Sequence, residues 1–236
     1  MKLPNIPRVF RLLALFTIFD ALLLAVRMER LDFDWTSLVN PWELRLERGT
    51  TFLFLAWNLV LAWIPFLISS QLTKFQRSKR WRIGAVLLMW LLFWPNAPYI
   101  LTDLYHLYPR PGVPFWFDMM LILSFAWTGL LLGLFSLRQV HVFAALRWGR
   151  SRARALVVAV IALGSYGIFL GRFQRWNSWD AFTNPFALVR DVADTFLHPA
   201  ADYPVGITFL LAGFIGCTYL LFTHLLTVEK QERSAK

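Results

Sequence analysis

Six stretches of this chain, at about 9–26, 50–70, 83–107, 116–137, 154–172 and 205–226, are almost continuously apolar. Crossing a hydrocarbon core of about 30 Å takes roughly 17 to 25 apolar residues as a helix. A spanning segment must also satisfy its own backbone, which in lipid leaves helices or closed barrels. Six such helices use up most of the 236 residues and leave no room for a separate soluble domain. The sequence therefore reads as an all-α, polytopic membrane helix bundle forming a single integral membrane domain over 1–236. Only 16% of residues are charged, where soluble domains carry about a quarter.

Net charge is +10, which in a soluble domain would point to nucleic acid. Its placement points elsewhere. The N-terminus, the second and fourth connections and the tail together hold 16 Lys and Arg, and the other three connections hold 8. Positive residues in short loops favour the cytoplasmic side, so both termini are expected there. The runs "KFQRSKRWR" (74–82) and "RWGRSRAR" (147–154) then read as anchors beside anionic headgroups, and no nucleic-acid partner is expected. The first apolar stretch lacks a small-x-small cleavage site and runs directly into Arg27, Glu29 and Arg30, which makes it a retained span. Cys217 is the single cysteine, in the sixth span, so no intrachain disulfide forms.

Two connections on the side opposite the termini contain similar phrases, "WTSLVNPWEL" (35–44) and "WDAFTNPFAL" (179–188). Asn before Pro is a helix start, since Asn accepts a free N–H and proline at the first position forfeits no bond. Each phrase predicts a short interfacial helix. In the second, Phe186, Val189, Ala193 and Phe196 recur at spacings of three and four, the pattern of a helix lying in the membrane interface. The two phrases also fit a repeat of helical hairpins, although shared helix-start chemistry explains them equally well.

The third span is interrupted by "FWPNAPYILTDLYHL" (93–107). Pro95 and Pro98 remove two N–H donors and so free the carbonyls of Leu91 and Trp94. An unpaired carbonyl in lipid costs several kcal/mol. Asn96 is placed to satisfy one or to cap a new helix at Ala97. At about 100° per residue, Asn96, Tyr99, Asp103 and His106 fall within a roughly 80° arc, giving a polar face. An ordinary kink whose polar face meets headgroups accounts for this. So does a discontinuous helix that presents its positive end to an anionic group.

Asp118 opens the fourth span at the same depth, and Arg172, Arg175, Asn177 and Asp180 leave the fifth. Asn58 and Asp20 lie within the second and first spans; Asp20 can simply pair with a basic residue. Intramembrane ionisable groups are functional candidates. Asp103, His106 and Asp118 are the candidate catalytic groups, with chemistry suited to acid-base work or to a divalent metal. Asn96, Tyr99, Arg172, Arg175, Asn177 and Asp180 are the candidate substrate-binding groups. No HExxH, GxSxG, phosphate loop or CxxC pair occurs, so the sequence assigns neither a metal nor any other cofactor. "GLLLG" (129–133) is a small-xxx-small pattern that lets helices approach closely.

The phrases "WLLFWPNAPYILTDLYHL" (90–107), "FWFD" (115–118) and "GRFQRWNSWD" (171–180), in that order, resemble the bacterial membrane-protein family known as domain of unknown function 1361. The similarity runs from about Trp57 to Val228. It implies a multi-pass protein of the bacterial cell (inner) membrane and brings no activity, cofactor or substrate with it.

Three classes of function follow from these residues. One is an envelope enzyme acting on a lipid headgroup or lipid-linked substrate, with Arg172 and Arg175 holding a phosphate. Another is a transporter or lipid-handling protein using the broken helix. The third is a non-catalytic membrane subunit or assembly factor. The expected partners are the bilayer and a phosphate-bearing lipid or anionic small molecule.

Overall fold

A computed structural model of the chain describes residues 6–31, 51–197 and 203–235. Its elements are α1 (Ile6–Glu29), α2 (Leu53–Ser70), α3 (Arg80–Phe93), α4 (Asn96–Tyr99) running into a 3-10 segment (Ile100–His106), α5 (Phe115–Trp148), α6 (Arg150–Phe173), α7 (Asp180–Thr183), α8 (Pro185–Leu197) and α9 (Tyr203–Ala235). Six helical stretches, Ile6–Glu29, Leu53–Phe75, Arg80–His106, Phe115–Trp148, Arg150–Phe173 and Gly206–Thr227, are long and apolar enough to cross a membrane. They match the six predicted from sequence, and the fold is an all-α bundle.

The long α5 is the axis of that bundle. On one side Leu13 and Leu24 of α1 and Leu55 and Phe66 of α2 pack with its Leu121 and Phe125. On the other, Trp90 and Trp94, Val157 and Ile161 of α6, and Tyr219 of α9 gather around Leu137 and Phe143. Lipid tails are as apolar as these side chains, so association in a membrane relies on close packing and interhelical hydrogen bonds. Trp90 shows both: its Nε1 donates to Ser136 Oγ at 2.7 Å, and that hydroxyl donates to Pro65 O of α2 at 3.0 Å.

α5 departs from its sequence expectation at one end. The apolar stretch stops near 137, but the helix continues to Trp148, because Val140, Val142, Phe143 and Ala144 still face the core. Thirty-four residues make a helix about 51 Å long, more than a hydrocarbon core requires. Gly149, at φ 93°, then turns the chain straight into α6. This conformation suits glycine, which has no Cβ to clash. "RWGRSRAR" is thus two helix ends about one glycine.

α8 begins at Pro185, as the Asn-Pro pair predicts, with Leu188 N bonded to Asn184 O at 3.2 Å. Trp176 Nε1 donates to Asp191 Oδ2 at 3.0 Å and Gln174 Nε2 to Thr195 Oγ1 at 3.1 Å. These bonds hold the polar face of α8 down and leave Phe186, Val189 and Ala193 exposed. Phe196 lies outside the residues whose side chains are described, and the expected 35–44 helix lies outside the described residues altogether.

Candidate functional site

The break in the third span is where the polar groups converge. Trp94 and Pro95 form a turn between α3 and α4. The N–H of Ala97 reaches Trp94 O, three residues back, at 3.1 Å, so Trp94 O is satisfied and Phe93 O loses its usual partner. Asn96 Nδ2 supplies the replacement at 2.9 Å and also donates to Ser178 Oγ at 2.8 Å; Ser178 Oγ in turn donates to Leu92 O at 2.9 Å. Asn96 therefore mends the ladder by reaching backward and does not cap a new helix. Ser178, far away in sequence, completes the repair.

Two helices supply glycines where the broken segment must sit. A Cβ added to Gly129 would lie 2.6 Å from Ala97 O, and one on Gly133 3.3 Å from Pro98 Cδ. On α6, a Cβ at Gly164 would meet the Trp94 ring at 2.2 Å, at Gly167 Pro95 Cγ at 3.0 Å, and at Gly171 Tyr99 Cε2 at 3.3 Å. "GLLLG" serves the close approach that its spacing suggested, and does so inside the bundle, against Ala97 and Pro98. The α6 glycines were missed, although their spacing of three and four along one helix face was legible.

The single polar face expected of residues 96–106 is divided in two. From Ile100 the chain winds as a 3-10 helix, in which residues three apart eclipse, so Asp103 and His106 align with each other and turn away from Asn96 and Tyr99. Asp103 is buried. It accepts Asn58 Nδ2 at 2.8 Å and Arg172 Nη1 at 3.2 Å. Arg172 also lies 5.3 Å from the Tyr105 ring, while His106 rests against Phe54 with ring centroids 4.9 Å apart. Arg172, offered by the sequence as a group to hold a phosphate, is paired with Asp103, and Asn58 joins the pair.

Asn96 and Tyr99 face a cavity of about 340 Å³ bounded by α2, α3, α6 and the α7–α8 segment. Asn58, Asn177 and Ser178 add polar groups to its wall, and most of the remainder is Leu, Trp, Pro and Gly. Leu88, Trp57 and Leu163 line it and are also exposed on the outside of the bundle, so the cavity opens sideways. Asn58 is the hinge of the arrangement, touching the cavity on one side and Asp103 on the other. Arg172, Arg175 and His106 are not on the wall.

The remaining candidates lie elsewhere. Asp118 belongs to a second cluster: Arg27 Nε reaches Oδ1 at 2.7 Å, Arg27 Nη2 reaches Oδ2 at 3.2 Å, and Arg110 Nη1 lies 3.7 Å from Oδ2. Asp103, His106 and Asp118 therefore do not form a metal-ligand set, and no group of three such residues is gathered among the described residues. Proximity in sequence misled here, because Asp103 and Asp118 face different neighbours. Asp180 accepts Asn177 N at 2.7 Å and Asn177 Nδ2 at 3.1 Å, shaping the turn into α7. Arg175 is exposed, at φ 62°. Asp20 is buried and accepts Ser124 Oγ; this hydroxyl takes the place of the expected basic partner.

The model of the family described as Protein of unknown function (DUF1361) matches residues 57–217. The chain belongs to the DUF1361 family. The match contains the broken span, the cavity and the Asn58–Asp103–Arg172 network, and it leaves α1 with Arg27 outside. Comparison with curated proteins and with solved structures finds no match for this DUF1361 chain.

Proposed function

We propose that this protein is a multi-pass membrane protein of the bacterial inner membrane, with both termini cytoplasmic, that binds an amphiphile in the cavity beside its broken third span. The observation that carries this reading is the cavity's construction: a mostly apolar wall whose outer rim is exposed at the side of the bundle, with amides and hydroxyls set into it. Lipid-like molecules have that polarity profile, and about 340 Å³ lies within the ~300–1,000 Å³ of ligand pockets. Sideways opening lets a ligand enter from hydrocarbon without crossing the headgroup layer. The wall presents amides, a hydroxyl and a phenol, and the acid-base candidates Asp103 and His106 are turned away from it, which favours lipid handling over catalysis.

Orientation rests on the 16-to-8 distribution of basic residues. Cysteine labelling at Lys79 and Arg150 should report cytoplasm, and at Arg110 and Asp194 the opposite side; a cytoplasmic signal at Arg110 overturns the orientation. The cavity is tested by native mass spectrometry of protein released from lipid nanodiscs. Wild type should retain one lipid through activation that strips annular lipid, and Ala181→Trp, which fills the cavity from α7, should lose it with an unchanged unfolding midpoint. Equal retention by both proteins, or none by wild type, sinks the reading.

A further inference from the structure

Hydrogen-bond direction among the polar side chains of the cavity wall restricts what kind of head group fits. A side-chain amide has two N–H donors and one carbonyl acceptor with two lone pairs, and the protein's own demands decide which part faces the ligand. Asn96 gives one N–H to Phe93 O and the other to Ser178 Oγ. A backbone carbonyl only accepts, so the amide cannot be turned the other way. Asn96 thus has no donor left, and its Oδ1 accepts no hydrogen bond from a described residue. Asn58 is oriented by the same logic, because its partner is the Asp103 carboxylate, ion-paired with Arg172 and acceptor-only. Asn177 gives an N–H to the Asp180 carboxylate. Ser178 donates to Leu92 O and receives from Asn96, and Trp176 Nε1 is engaged by Asp191.

The amide oxygens of Asn58, Asn96 and Asn177 therefore remain without a donor from a described residue, on three side chains that line one cavity. Beside them stand the Tyr99 hydroxyl, which both donates and accepts, and one unengaged N–H on each of Asn58 and Asn177. Arg172 and Arg175, the cations that would complement a phosphate, are off the wall, and Arg172 is held by Asp103. Resting on the cavity reading above, we infer that the ligand's head is a hydrogen-bond donor, a hydroxylated or primary-ammonium group, with any phosphate left away from these amides. Asn58 and Asn96 are half-buried and Asn177 is exposed, so a bound head covers these acceptors, and one without donors strips water from them and gives nothing back.

The test is competition in nanodiscs of phosphatidylcholine, whose head carries no donor, doped with equal fractions of phosphatidylglycerol, phosphatidylethanolamine or a monoglucosyl diacylglycerol. Native mass spectrometry reads the retained lipid. At least one donor-bearing lipid should be enriched about tenfold or more over phosphatidylcholine. The glycerol and glucosyl arms report hydroxyl recognition, and the ethanolamine arm reports ammonium. Asn177→Leu, on the surface loop, and Tyr99→Phe should each lower the enrichment several-fold while a lipid is still retained. Retention of phosphatidylcholine as readily as the others overturns the donor assignment and leaves the cavity reading standing; retention of no lipid by wild type overturns both.

Discussion

Two buried carboxylates of this chain, Asp103 and Asp118, lie fifteen residues apart in sequence and are each about 1% exposed, yet they are neutralised in different ways. Asp103 has one arginine and one amide, Arg172 and Asn58, and the amide continues into a cavity. Asp118 has two arginines, Arg27 and Arg110, whose guanidinium groups lie 4.0 and 4.3 Å from the centre of the same Phe52 ring. Phe52 takes up φ 60° where it does so, a backbone conformation that costs a non-glycine residue about 1 kcal/mol or more. The Asp118 cluster ties α1 to α5 and reads as a structural clamp. The Asp103 carboxylate holds one N–H of Asn58, and through Asn58 its network meets the cavity wall. A buried ion pair is weak evidence for net stability, but removing one partner is strongly destabilising because the other is left uncompensated.

The largest effect should come from Asp118→Ala. Two guanidinium groups then lose the carboxylate they share, and the loss should reach about 3–5 kcal/mol, read as a fall in the tryptophan-fluorescence unfolding midpoint in detergent. An unchanged midpoint would break the contrast at its stronger side.

Asp103→Ala leaves a single cation, and Arg172 keeps 13% exposure, so water still reaches it. We expect about 3 kcal/mol or less, together with altered lipid selectivity, since Asn58 is then free to turn its amide. A drop as large as that of Asp118→Ala with selectivity intact would make the Asp103 network a second clamp and nothing more.

The smallest effects belong to the rings beside the arginines. Tyr108 lies 3.8 Å from the Arg110 guanidinium and Tyr105 5.3 Å from that of Arg172; exposed cation–π pairs contribute about 0.5–1 kcal/mol. Tyr108→Ala should therefore lower the midpoint slightly more than Tyr105→Ala, and the reverse order would show the Asp103 side to be the more tightly clamped.

The candidate site was legible to the extent that its residues are costly to place in lipid. Pro95, Asn96, Pro98 and the intramembrane charges stand out against apolar filler because each demands a partner, and the pairing of Arg172 with an acidic residue could be expected from depth alone. The partition of the acids could not. Whether Asp118 meets Arg172 or Arg27 depends on which face of α5 turns toward α1, and that is set by side-chain packing along 34 residues. Arg27 reads in sequence as an ordinary flanking charge. The polar arc drawn at 100° per residue divides because the chain tightens into a 3-10 helix after Tyr99, a change that no spacing of residues announces.

Sequence alone determined the number of helices, the position of the break and the presence of polar groups at one end of the bundle. The reason is that hydrophobic length and missing backbone donors are local properties, written in consecutive residues. Only the tertiary structure decided that Ser178 and Asn96 mend the ladder, that glycines of two helices make room for Ala97, Trp94 and Pro95, and that three amides whose N–H groups are engaged by the protein line one cavity. Those outcomes depend on which atoms meet across segments far apart in the chain, 86 residues for Ser178 and Leu92, and hydrogen-bond direction is settled only once both partners are in place.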